Sequence, residues 1–321
     1  MFSRCLSSVT ERQCSFVIWL GATLIIATLS SMAGRPASAG GADEPISAVI
    51  APAVDPFKVA LGKALFYDPR LSGDASRSCG TCHDTETNGA SGLRFDLSPT
   101  GTPLEFNTPT VFNAALNFRL NWRGNFSVLQ DHAVSSIRLP SVMNADIGVV
   151  ADVLRSDPVI RDLAEAAYGA QLNKDNLVDA LAVYQTSLVL TDSPFDRWLA
   201  GDQSALTETE KQGYRRFKEI GCAACHQGRN VGGNLYQRHG IFHPLTSGGP
   251  SRVRVPSLRT VYYTPPYFHD GSAETLHKAI RAMGQAQLDV VLDDEDVDSI
   301  EAFLKSLAGT YARNPLRKAP P

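Results

Sequence analysis

Along most of this chain apolar residues recur at spacings of three and four, which predicts helices. Pro56 to Tyr67 carries Val59, Leu61, Leu65 and Phe66 on one face and predicts a short amphipathic helix. Thr207 to Ile220 repeats that design with Tyr214, Phe217 and Ile220. Its opening run, Thr207-Glu208-Thr209-Glu210, has the form of a capping box. The same spacing marks Ser127–Arg138, Val149–Leu154, Val159–Tyr168 and Asn176–Leu190, then Glu274–Met283. A last helix is predicted over Asp293–Leu307, with Val297, Ile300, Phe303, Leu304 and Leu307 on one face. Strand signals are few and short. Residues 227–257 are rich in Gly, Pro, Arg and His and lack any period, so they read as a long loop, a kind of segment that usually carries function. His239 and His243, within it, read as solvated. Residues 40–54 read as a loose lead-in.

The N-terminus has a different pattern. Arg4 and Arg12 precede an apolar run from Ser15 to Leu29, and Ala37-Ser38-Ala39 is a small-residue cleavage site. Residues 1–39 are therefore expected to be a cleaved export signal; the alternative is a permanent anchor, since the run is only slightly short for a span. No later segment is apolar enough to cross a bilayer. Loss of Arg4, Arg12, Arg35 and Glu11 takes the totals of 30 basic and 33 acidic residues to 27 and 32, a net charge of −5. That mild acidity argues against nucleic acid as a partner.

Cys5 and Cys14 fall within the signal. The other four cysteines form Cys79-Gly80-Thr81-Cys82-His83 and Cys222-Ala223-Ala224-Cys225-His226, and each pentapeptide reads as a covalent attachment site for c-type haem. Two thiols bond the porphyrin, and the adjacent His83 or His226 reaches the iron. Each motif follows one of the two matched helices, which suggests a repeated unit. The expected architecture is mostly α, with two cytochrome c-type haem domains and long loops, over residues 40–203 and 204–321. Because c-type haem is attached outside the cytoplasm in bacteria, the expected compartment is the periplasm. Only Met143 and Met283 remain downstream of the signal as thioether candidates for a sixth iron ligand. Met283 shares a predicted helix face with Leu276 and Ile280, and spacing alone leaves it open between core and ligand.

Further segments carry a resemblance. Val255-Pro256-Ser257-Leu258-Arg259, Thr264-Pro265-Pro266-Tyr267-Phe268-His269-Asp270-Gly271-Ser272, Met283-Gly284-Gln285-Ala286-Gln287-Leu288 and Asn107-Thr108-Pro109-Thr110-Val111-Phe112-Asn113-Ala114 resemble the bacterial dihaem cytochrome c peroxidases. The resemblance spans about residues 55–310. It implies an oxidoreductase that reduces hydrogen peroxide to water with electrons from a small cytochrome c or cupredoxin. It also implies His226/Met283 ligation of a high-potential haem, peroxide chemistry at the His83 haem, and Trp122 as an aromatic bridge between them. A calcium ion is implied at Asn107, Thr264 and Pro266, a mixed oxygen set that suits that cation. Relatives often dimerise, so a homodimer is an open expectation.

The chain also departs from the family. No histidine occurs between His83 and His132, so the loop 92–105 offers no imidazole to cap the first iron; it offers Arg94, Asp96, Ser98, Thr100, Thr102 and Glu105. The distal glutamate expected near residues 141–144 is absent, which matters because splitting the O–O bond requires a proton to be moved. By resemblance His132 borders the distal pocket. It could shuttle that proton, bind the iron, or lie on the surface. Arg123 and Arg138 are further candidates for stabilising a leaving hydroxide. Two alternatives to the peroxidase remain: a methylamine-utilisation-type enzyme that oxidatively modifies a protein partner, and a non-catalytic dihaem electron carrier.

Overall fold

In a computed structural model, residues 44–319 are described; the expected signal lies outside them. Ten α-helices occur among the described residues: α1 Pro56–Phe66, α2 Cys79–Cys82, α3 Leu129–Arg138, α4 Ile147–Arg155, α5 Pro158–Tyr168, α6 Lys174–Ser187, α7 Pro194–Leu199, α8 Glu208–Ile220, α9 Leu276–Leu288 and α10 Asp294–Ser306. Their starts follow side-chain chemistry. Asp55, Asp146 and Asp157 accept from the first free N–H groups of α1, α4 and α5, and Thr207 with Glu210 closes the expected capping box on α8. The short α7 has no counterpart among the predicted helices, because six residues are too few to show a period.

The long loop 227–257 is not wholly irregular. Its arms pair as antiparallel strands, β1 Tyr236–Arg238 against β2 Arg252–Arg254. A second ribbon, β3 Thr310–Tyr311 against β4 Asn314–Pro315, follows α10. Three-residue and two-residue strands carry too little alternation to be read from sequence.

Two hydrophobic clusters form the core. One collects Leu61, Leu65, Phe112, Ile137, Leu154, Leu177, Leu181 and Tyr184; the other collects Phe195, Tyr214, Phe217, Ile280, Val297, Ile300 and Phe303. In the second, Phe195, Tyr214 and Phe303 meet with centroids 4.8–5.3 Å apart, a spacing at which aromatic rings attract beyond area burial. The helix preceding each Cys-X-X-Cys-His motif is seated in the same way. Gly62 of α1 lies so close to α6 that a β-carbon would sit 2.0 Å from the Ala180 carbonyl oxygen. Gly213 of α8 lies equally close to α10, where a β-carbon would sit 1.8 Å from the Ser299 carbonyl oxygen.

The two ends of the described segment cross over between the clusters. The lead-in is pinned rather than loose: Ile46 is fully buried in the second cluster, the Pro45 carbonyl accepts from the Gly228 N–H at 2.8 Å, and Glu44 accepts from Tyr214 at 2.6 Å and Lys218 at 2.9 Å. Reciprocally, Leu316 is buried in the first cluster and Tyr311 packs on Phe112 with centroids 5.4 Å apart. Arg259 fastens the second set. Its guanidinium, with 2 % side-chain exposure, binds Asp196 at 2.7 Å, the Arg229 carbonyl at 2.8 Å and the Ser47 carbonyl at 2.7 Å.

Candidate haem sites

The two pentapeptides fold alike. The His83 N–H donates to the Cys79 carbonyl at 2.9 Å, and the His226 N–H donates to the Cys222 carbonyl at 3.0 Å. This helical turn puts both thiols and the imidazole of each motif on one local unit. Ser78 and Thr81 cap the first turn, and Gly221, in the left-handed region at φ 103°, ends α8 and starts the second.

The residues fit c-type haem. All four thiols are free and partly buried. Burial pushes Cys79 and Cys82 up to about 12 and Cys222 up to about 11. His83 Nδ1 lies 3.1 Å from the Gly89 carbonyl, which leaves Nε2 for a metal. His226 is buried, and burial lowers its imidazole to about 4 despite the adjacent carbonyls of Val231 and Pro256. Its Nδ1 makes no hydrogen bond among the described residues. Gly232 makes room there: at φ 125°, a β-carbon would lie 2.2 Å from the Pro256 oxygen and 3.3 Å from His226 Nδ1.

A mainly apolar cavity of about 230 Å³ opens beside the second motif and brings together Cys222, Cys225, His226 and Met283. Met283 therefore faces the same space as the second histidine. Met143, the other thioether, is buried in the first cluster. Trp122, Asn107, Thr264 and Pro266 line the same cavity. The indole of Trp122 is buried, and its Nε1 donates to the Asn107 carbonyl at 2.8 Å. A tight loop positions it: Leu120 bridges Phe126, and Asn121, in the left-handed region at φ 59°, accepts the Gly124 N–H at 2.7 Å. The Asn107 Nδ2 donates to the carbonyls of Leu93 at 3.0 Å and Arg94 at 3.3 Å, which leaves its Oδ1 as the free ligating atom. No cluster of three carboxylate, histidine or cysteine ligands occurs among the described residues.

The first motif has a different neighbourhood. His132 is only partly exposed and stacks edge-on to Phe126 at 5.3 Å. Burial lowers its imidazole to about 4, with His83 and Arg254 adding charge repulsion. His132 is thus a partly buried group within charge range of His83. Asp96 is the buried carboxylate of the loop 92–105. It accepts from Thr108 and lies against Cys82 and His83. Nothing in the sequence separates Asp96 from its exposed neighbours. Arg123 and Arg138 are exposed, and Arg123 pairs with Glu105, so neither is placed to assist a leaving hydroxide. His269 is buried and stacks on His239 with centroids 4.6 Å apart; both line the cavity, so His239 is not the solvated loop histidine that the sequence suggests.

The chain is similar to several known proteins. The di-haem cytochrome c peroxidase family matches residues 56–204. The cytochrome c551 peroxidase of Nitrosomonas europaea is 35 % identical over 318 residues, covering 93 % of this chain and 95 % of the relative. The methylamine utilization protein MauG of Methylorubrum extorquens is 35 % identical over 239 residues, covering 70 % of this chain and 68 % of the relative. The crystal structure of a MauG-like protein associated with microbial copper homeostasis shares the fold, with a TM-score of 0.72, 22 % identity, and coverage of 84 % of this chain and 96 % of that one. The chain belongs to the di-haem cytochrome c peroxidase family and is a peroxidase-type oxidoreductase. The family carries two c-type haems.

Proposed function

We propose that this protein reduces hydrogen peroxide to water in the periplasm, with electrons from a small cytochrome c or cupredoxin. The observation that carries this reading is the asymmetry of the two sites: His226 and Met283 line one cavity, whereas His132 lies near His83 and Met143 is buried in the first cluster. Bound at these sites, haem would supply one-electron storage at the second, held by His226 and Met283, and peroxide reduction at the first, held by His83. A thioether raises the potential of a haem it ligates, so the His226/Met283 site suits acceptance of electrons. Trp122, on the wall of that cavity, offers an aromatic bridge toward the first site. Each peroxide takes two electrons and two protons and leaves as two waters. His132 is neutral at neutral pH, so it can take a proton from one peroxide oxygen and deliver it to the other as the O–O bond breaks. A calcium ion at Asn107 Oδ1 and the carbonyls of Thr264 and Pro266 would brace the cavity wall beside Trp122.

Stopped-flow mixing of the holoprotein with peroxide tests this reading. A spectral change confined to one haem is expected, with turnover once a reduced cytochrome c or cupredoxin is supplied. No change at the His83 haem in any oxidation state would end it. A second reading, oxidative modification of a protein partner, is favoured by the lack of any histidine on the loop 92–105. Met283 weighs against it, because a thioether does not stabilise the high oxidation states such chemistry uses.

A further inference from the structure

Among the described residues Arg254 is a buried cation without a counter-charge. Only 4 % of it is exposed, and it lines the cavity with Cys222, Cys225, His226 and Met283. Its main-chain N–H donates to the Trp122 carbonyl at 2.9 Å and its Nε to the Asn121 carbonyl at 3.0 Å, so the residue is clamped on the Trp122 loop. Nη1 reaches the Val255 carbonyl at 3.3 Å. A guanidinium has five N–H donors, and among the described residues the other three find no acceptor. No carboxylate pairs with it there either. Burial lowers it only to about 10, so it stays charged at neutral pH. Its ionisable surroundings are Tyr236 on β1, whose hydroxyl binds the Gly124 carbonyl at 2.7 Å, and His132 on α3. His239 and His269 share the cavity wall. None of these supplies negative charge. Buried charges are retained where something pairs with them, and an aligned pair of N–H donors suits a carboxylate.

We infer that Arg254 is the counter-ion of a propionate of the haem attached to Cys222 and Cys225, and that this ion pair helps to hold that haem at high potential. The inference rests on the haem reading of the second site. Its physical sense is direct: a fixed positive charge beside the porphyrin favours the state with one more electron. The clamp on Asn121 and Trp122 also ties the cofactor edge to the loop that carries the bridging indole.

The test uses the full-length holoprotein. A haemochromogen assay first establishes two haems per chain, which separates failure of the haem reading from failure of this one. Spectroelectrochemical titration of Arg254→Gln is expected to lower the midpoint of the Met283-ligated haem, with a smaller shift at the other haem. Arg254→Lys keeps the charge and is expected to lie nearer the wild type. The resonance Raman propionate bending band of that haem is expected to move in both variants. Unchanged potentials in Arg254→Gln, or a propionate band that stays in place while the potential falls, would overturn the assignment. If Arg254→Gln does not accumulate with both haems, the propionate band in Arg254→Lys decides alone: displaced, the ion pair stands; unmoved, it falls.

Discussion

The Nε1–H of Trp122 donates to the main-chain carbonyl of Asn107 at 2.8 Å. This joins the ring proposed as the bridge to a residue whose free side-chain oxygen is the candidate calcium ligand. The indole orientation and the proposed ion site thus share the Asn107–Trp122 contact.

Trp122→Phe keeps an aromatic ring but removes the donor and part of the bridge. The Asn107 carbonyl would lose a buried partner, a cost of about 1–3 kcal/mol. Electron passage between the haems is expected to slow by an order of magnitude or more, with both midpoints near their wild-type values. Rapid-mixing reduction by a donor, monitored at each haem, measures it; an unchanged interhaem rate removes Trp122 from the path.

Calcium removal should act through the same segment. Treatment with a chelator is expected to lower the melting temperature and peroxide turnover together, and added calcium to restore both. Asn107→Leu should mimic the chelated state and respond to neither treatment. A wild-type protein indifferent to chelation, and free of calcium by metal analysis, would leave Asn107 a purely structural amide.

His132→Gln should lower the rate of peroxide reduction by about 10²–10⁴-fold, the usual span for a lost proton shuttle, while both haems remain attached. The imidazole titrates near 4 in the fold against 6.5 ordinarily. As pH falls below the ordinary value the unfolded chain takes up a proton that the folded chain refuses, so stability is full above that value and is lost toward about 4. The Gln variant should therefore lose less melting temperature than the wild type across this window. Parallel melting curves for the two proteins would remove the basis for a buried neutral imidazole.

Gly62→Ala and Gly213→Ala should each destabilise the protein by about 1–3 kcal/mol, because a single methyl forces two backbones apart. Chemical denaturation of the holoprotein measures this. Wild-type midpoints in both variants would mean that these helix crossings relax freely.

Much of this arrangement is legible in the sequence because its signals are local. Cys-X-X-Cys-His is a contiguous turn, and the helices flanking the motifs announce themselves by period and cap. Met283 shows why other parts are not legible. On spacing alone it is another apolar residue of α9; the family resemblance of its segment and the cavity it shares with His226 distinguish it from Met143. Arg254 and Asp96 carry no signal at all, since charged residues in polar loops are ordinarily solvated. What buries them is packing against Trp122 and Thr108, remote in the chain. The lead-in misleads for the same reason: a Gly-, Ala- and Pro-rich stretch gives no hint that Ile46 is buried in the cluster formed by α8 and α10.

The crossing of residues 44–46 and 311–316 between the clusters carries a practical corollary. Dividing the chain near residue 203 would deprive each half of a plug supplied by the other: Ile46 from one, Leu316 and Tyr311 from the other. Neither fragment is expected to fold as a single-haem cytochrome, and heating the whole protein should dismantle both clusters in one transition.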